Sequence, residues 1–266
     1  MVKRAVCIGI NDYPDEDNDL NGCVNDARAW ASLLTEHFDF DAENVRVIED
    51  SEATKANMVA ALERLLRGAE EGDVLVFTNS SHGSYVADTT GDEPVYDEII
   101  CPYDIKDSVL RDDELREIFS TLPEGVSLTA ILDNCFSGTA TRLPKGIPTP
   151  DDRRHRFLSP RVRGDIVLDD PWEAKSTHSE KFPQEGMKEI LLSGCNDKQY
   201  SFDAKIDGVY HGAMTWHAIK AIRDADYSLT YRQLHEEMLR LLSFTNYDQT
   251  PQVEGRDANK DRPIFT

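Results

Sequence analysis

Two segments of the chain bring together residue types able to break an acyl bond. They are Ser80-Ser81-His82-Gly83-Ser84 and Asp133-Asn134-Cys135-Phe136-Ser137-Gly138. A thiol is a weak nucleophile until it ionises, and an adjacent imidazole can assist that ionisation and later protonate a leaving amine. Gly83 and Gly138 allow the backbone to approach a substrate closely. The amide N–H groups of Gly83 and Cys135 can then point at an oxyanion developing on the attacked carbonyl. Either residue alone is read more simply as a buried thiol or an ordinary loop histidine. The pair, each member at the end of an apolar run and followed by small residues, points instead to nucleophilic catalysis.

Such a pairing requires both runs to be neighbouring parallel strands. Residues 3–10 are predicted as a buried strand, and Val45-Arg46-Val47-Ile48 as a second. Residues 73–78 (DVLVFT) make the third, 127–132 (SLTAIL) the fourth and 188–193 (KEILLS) the fifth. Between them, Val24, Ala27, Trp30, Ala31, Leu34 and Phe38 recur at helical spacing. A second helix carries Met58, Ala61, Leu62, Leu65 and Leu66 behind an N-cap at Thr54 and stops at Gly68. Further helices are predicted at about 112–120, 211–223 and 230–244. Strands alternating with helices predict an α/β fold, with a mostly parallel sheet covered on both faces. Functional residues in such sheets gather just beyond the carboxyl ends of the strands.

At 266 residues the chain suits a single domain. Residues 1–140 carry the nucleophile and 188–266 form a C-terminal portion. Between them, 141–187 hold six of the twelve prolines with no sustained periodicity and read as an exposed linker. Residues 83–110 form a Gly- and Asp-rich excursion between the third and fourth strands. Asp and Glu number 50 against 29 Lys and Arg, a formal charge of −21. That surface repels nucleic-acid phosphates and anionic membranes, so neither is an expected partner, and it attracts cationic ones. The linker is the exception, with Arg142, Lys145, Arg153, Arg154, Arg156, Arg161 and Arg163. Five widely spaced cysteines fit a reducing, cytoplasmic compartment better than a disulfide framework. The N-terminal apolar run is too short for a signal peptide, and no stretch could span a membrane.

The two chemistry-bearing segments resemble those of the caspase-like cysteine peptidases, specifically metacaspases and their bacterial and archaeal relatives, the orthocaspases. The histidine lies about 50 residues upstream of the cysteine, as in caspases. The resemblance extends over Leu20-Asn21-Gly22-Cys23-Val24-Asn25-Asp26-Ala27, Gly91-Asp92-Glu93, Asp97 to Asp104, and Asp112-Asp113-Glu114-Leu115. Later matches are Ser193-Gly194-Cys195, Gly212-Ala213-Met214-Thr215 and Gln249-Thr250-Pro251-Gln252. Ser81, where the family has Gly, and Phe136, often His, are departures that leave the reacting atoms in place.

The resemblance implies a caspase-like three-layer sandwich. It implies hydrolysis after Arg or Lys through a Cys135–His82 dyad and a thioester, acting on proteins or peptides with exposed basic residues. Its specificity pocket maps onto Cys23, Asp26, Ser80 and Asp133, whose carboxylates would pair with a guanidinium or ammonium. Of four calcium-binding Asp in some members, three match Asp97, Asp112 and Asp113. The fourth falls at about Arg142, the wrong charge, so calcium independence is favoured and no cofactor is required. Autoprocessing after one of the seven basic linker residues follows from a basic-specific peptidase carrying a basic loop. Two rivals stand beside this reading. One is a catalytically silent caspase-like scaffold or regulator, with a regulatory protein partner. The other is a nucleotide-binding module, for which Gly9-Ile10-Asn11-Asp12-Tyr13-Pro14 offers a poor phosphate cradle.

Overall fold

The computed structural model describes residues 1–87, 96–135, 153–163, 186–196 and 199–266. The central sheet contains β1 (Lys3–Gly9), β2 (Val45–Glu49), β3 (Val74–Ser80), β7 (Ser127–Asp133), β9 (Ile190–Ser193) and β12 (Gln252–Glu254). Their order is β12-β9-β7-β3-β1-β2, all parallel except β12.

The inner strands β1, β3 and β7 read as nearly continuous apolar runs because both of their faces are buried. Their alternate residues serve two separate cores. Val6, Ile8, Leu75 and Phe77 join Met58, Leu62 and Leu65 of α2 (Lys55–Leu66) and Leu115 and Phe119 of α3 (Asp112–Ser120). Ala5, Cys7, Val74 and Val76 join Trp30, Leu33 and Leu34 of α1 (Cys23–His37), Met214 and Ile222 of α4 (Ala213–Asp224), and Leu234 and Met238 of α5 (Tyr231–Ser243). The period of two along each strand thus makes the three layers. Thr54 caps α2 as predicted, its hydroxyl accepting the Asn57 N–H at 3.3 Å.

Two smaller antiparallel sheets depart from the expectations. The Gly- and Asp-rich excursion at 83–110, for which no strand was predicted, leads through β4 (Gly83–Ala87) and β5 (Tyr96–Ile100) to β6 (Leu110–Arg111), and these form one three-stranded sheet. The other sheet joins β10 (Phe202–Ile206) and β11 (Val209–Gly212) to β8 (Arg153–His155). β8 belongs to the segment read as an exposed linker. Among the described residues no helix is long and apolar enough to cross a membrane.

The register fixes the site. Gly9, Ser80 and Asp133 are aligned Cα partners at the carboxyl ends of β1, β3 and β7. His82 and Cys135 each stand two residues beyond their paired strand ends, on one edge of the sheet.

Candidate active site

His82 is buried, and its backbone N–H donates to the Tyr13 hydroxyl at 3.2 Å while the two rings lie 5.2 Å apart. Its Nε2 lies 2.8 Å from the Asn18 carbonyl oxygen. A carbonyl only accepts, so Nε2 carries the proton and the neutral ring presents a bare Nδ1. Among the described residues that buried Nδ1 has no hydrogen-bond partner. Burial pushes the imidazole from its ordinary 6.5 down to about 4, against an opposing bond to Asn18. The ring is therefore neutral at physiological pH.

The loops carrying His82 and Cys135 are tied together by side chains that spacing alone did not single out. Asn134 Nδ2 donates to the Ser81 carbonyl and to its hydroxyl, both at 2.8 Å. Asn79 Nδ2 donates to Asn134 Oδ1 and to Ser81 Oγ, both at 3.0 Å. Ser81 Oγ in turn donates to the His82 carbonyl at 3.1 Å. Ser81, the departure from the resembled family, is thus the hub of this cluster. Backbone contact is closest at Gly83, where a Cβ would lie 2.2 Å from the Cys135 carbonyl oxygen. Only glycine permits that approach.

The Cys135 thiol is buried and donates to the Gln199 carbonyl at 3.2 Å. Cys195 Sγ donates to the same oxygen at 3.3 Å. The Cys195 thiol is held well above its ordinary range, first by its hydrogen bond with Cys135 and then by burial, so it stays protonated. Phe136 and Gly138 lie outside the described residues.

The chain's own segment covers this site. The Arg156 carbonyl oxygen accepts the N–H of Gly83 at 2.9 Å and that of Cys135 at 3.2 Å, the two donors expected to face an oxyanion. Upstream, the Arg156 N–H donates to the Ser201 carbonyl at 2.9 Å, and β8 continues antiparallel along β10. Downstream, the Leu158 N–H donates to the Gly83 carbonyl at 2.9 Å, and the Leu158 side chain enters the core. The Arg156–Phe157 peptide therefore lies across the site, anchored on both sides. The expectation that Arg156 is exposed is corrected: its side chain is fully buried.

The burial is possible because three carboxylates receive the guanidinium. Arg156 Nη2 lies 2.6 Å from Asp26 and 3.2 Å from Asp203, and Nη1 lies 3.2 Å from Asp133. Asp26 and Asp133 were expected in such a pocket; Asp203, on β10, was not, because no motif surrounds it. Each carboxylate has further donors. Asp26 accepts from the Gly212 N–H and lies 3.0 Å from His211 Nδ1, and Asp203 accepts from the N–H groups of Asn21 and Gly22. Asp133 accepts from the Ser201 hydroxyl and from both the N–H and the hydroxyl of Thr215. Cys23 is buried in the field of all four charges, and desolvation, only partly offset by Arg156, keeps it a thiol. Ser80 is buried beside them as the Cα partner of Asp133. Gly212 forms one wall, where a Cβ would lie 2.1 Å from Asp133 Oδ2 and 2.4 Å from Arg156 Nη1.

The other basic candidates are dispersed. Arg153 and Arg154 lie on β8, and Arg161 and Arg163 fall in the short 3-10 turn Pro160–Arg163. Arg142 and Lys145 lie outside the described residues. The three aspartates considered for calcium face arginines. Asp97 lies 2.8 Å from Arg111, while Asp112 and Asp113 lie 2.7 and 3.0 Å from Arg116. Two guanidiniums act where a cation's charge would be felt, an arrangement that does not fit a calcium site. Among the described residues no group of three or more His, Cys, Asp or Glu is placed to hold a metal ion.

A family model described as metacaspase, peptidase C14 domain, matches residues 3–144. The chain is 32% identical to Metacaspase-1 of Scheffersomyces stipitis, over 94% of its own length and 70% of the relative's. It is 35% identical to Metacaspase-1 of Arabidopsis thaliana, over 92% of its length and 66% of the relative's. A solved protein from Geobacter sulfurreducens superposes over the whole chain with a TM-score of 0.74 and 27% identity, covering 99% of that protein. Caspase-1 from Spodoptera frugiperda shares the fold, with a TM-score of 0.60 at 11% identity, over 95% of this chain and 86% of that one.

Proposed function

Because the chain belongs to the metacaspase family of cysteine peptidases, we propose that it is an endopeptidase cutting after arginine or lysine, and that its own Arg156–Phe157 bond is its first substrate. One observation carries the reading. The Arg156 carbonyl oxygen accepts from the N–H groups of Gly83 and Cys135 while its guanidinium sits among Asp26, Asp133 and Asp203. A basic side chain and its carbonyl are thereby engaged together, as a substrate's would be.

Cys135 sulfur attacks the Arg156 carbonyl carbon as the thiol proton passes to His82 Nδ1. The negative charge that develops on the Arg156 oxygen falls on the two N–H donors already directed at it, with no reorganisation needed. His82 then protonates the Phe157 nitrogen, the C–N bond breaks, and residues from 157 onward leave as an amine. A thioester joins Arg156 to Cys135. Water, deprotonated by His82, attacks the thioester and releases the Arg156 carboxylate and the thiol. No cofactor enters these steps. After the cut, the new chain ends at 156 and 157 can withdraw, opening the pocket to other polypeptides with accessible arginine or lysine.

The pocket gives the preference its sign. Three carboxylates without a guanidinium leave unbalanced buried charge, which a basic side chain relieves and an acidic one worsens. The test is intact-mass analysis of the purified chain beside its Cys135→Ala variant. Fragments ending at Arg156 and beginning at Phe157, found only with the cysteine present, support the proposal. Identical fragments from both chains, or an uncut wild-type chain that also ignores fluorogenic peptides ending in Arg and Lys, would overturn it.

A further inference from the structure

We infer that the site selects its polypeptide substrates at three positions besides the basic residue, favouring arginine three residues before it, a ring-bearing residue immediately before it, and an aromatic residue immediately after the cut. The inference rests on the proposed cleavage after Arg156 and extends it to the rest of the sequence held in the groove.

The segment Arg153-Arg154-His155-Arg156-Phe157-Leu158 is bound as an added strand, with backbone pairing supplying the grip and alternate side chains the selectivity. Arg153 and His155 share one face of that strand and meet a continuous aromatic platform. The Arg153 guanidinium lies 4.6 Å from the centre of the Tyr247 ring, and Nη1 donates to the Asn246 carbonyl at 3.3 Å. The His155 ring lies 4.3 Å from Tyr200 and 5.0 Å from Phe202, and Phe202 packs on Tyr247 at 5.6 Å.

The cation over an aromatic face gives Arg153 a specific attraction that an aliphatic side chain lacks. Burial lowers the pKa of His155, so this position receives a neutral ring rather than a charge. Beyond the cut, Phe157 stacks on Tyr85 with 26° between the planes and 6.1 Å between centres. Arg154, between the two platform positions, is exposed and donates to the Asp19 carbonyl. It marks a position where little selection is expected.

The test uses an internally quenched peptide carrying the 153–158 sequence and three relatives with alanine at the Arg153, His155 or Phe157 position. All are assayed with the full chain. Replacing the first arginine is expected to lower kcat/KM about fivefold, the worth of one partly exposed cation–π contact. Replacing either ring is expected to lower it about three- to tenfold, as for a lost aromatic pair. The Tyr247→Leu chain, which keeps bulk without a π face, is expected to bring the ratio between the parent peptide and the first-arginine variant from about five to about one. If the parent peptide is cut but all three replacements change kcat/KM less than twofold, the selectivity is refuted and cleavage after arginine stands. If no peptide is cut, both readings fall.

Discussion

The Arg156 guanidinium stands 2.6 Å from the Asp26 carboxylate, and neither side chain is reached by solvent. Burying one cation with three anions is tolerable only because each carboxylate is also met by backbone or hydroxyl donors. Removing one member therefore exposes the others. The Asp26→Asn chain keeps the shape of the pocket and loses one charge. Its kcat/KM on arginine peptides should fall about 100-fold, the cost of unbalancing a buried charge pair. The change should appear in KM as much as in kcat, because the ground-state complex already holds the guanidinium. An effect below threefold would show that Asp26 is a structural helix residue and that basic side chains bind elsewhere.

Gly212 tests the same pocket by volume. Its backbone, at φ −67° and ψ 133°, suits any residue, so Gly212→Ala should fold without backbone strain. The new methyl would nevertheless fall within 2.1 Å of Asp133 and 2.4 Å of the arginine head. Self-cleavage after Arg156 is expected to stop on the timescale on which the parent chain is fully cut, with the thermal midpoint moving only a few degrees. Undiminished self-cleavage on a denaturing gel would mean that the arginine reaches the nucleophile by another route.

The acidity of His82 predicts a pH profile. Its folded value, about 4, lies below the ordinary 6.5, so folding favours the neutral ring. That contribution to stability is fully present above pH 6.5 and is lost as pH falls through 4. The base required for attack by Cys135 persists over the same window. Self-cleavage rates followed from pH 7 downward should hold through pH 5 and fall by half near 4. A half-fall near 6.5 would instead identify a solvated imidazole as the base.

The strand ends could be read from the sequence because β1, β3 and β7 are buried on both faces and announce themselves as apolar runs. Once they are parallel neighbours, the segments carrying His82 and Cys135 leave the sheet at the same edge. β8, β10 and β11 gave no such signal. They are three to five residues long, and sequences such as Arg153-Arg154-His155 carry charge rather than alternation. Arg156 looked exposed for a related reason. The groups that make its burial possible are at positions 26, 133 and 203, far away in sequence, and non-local charge pairing leaves no periodic trace. Asp203 was invisible on the same account.

Ser81 shows how a departure from a family pattern can acquire a role. Its hydroxyl donates to the His82 carbonyl and accepts from Asn79 and Asn134, joining the strand end, the histidine loop and the cysteine loop. Ser81→Ala leaves the two amide donors short of an acceptor in a fully buried site, a loss of about 1–3 kcal/mol. For a domain of this size that lowers the melting temperature by a few degrees per kcal/mol. Because the cluster positions the His82 and Cys135 loops without touching substrate, kcat should fall several-fold while KM stays constant. Ser81→Gly, which restores the family residue, also adds backbone freedom in the histidine loop and should cost at least as much in stability. A glycine variant as stable and as active as the parent would show that the hydroxyl is incidental and that the two loops are aligned by the β3–β7 register alone.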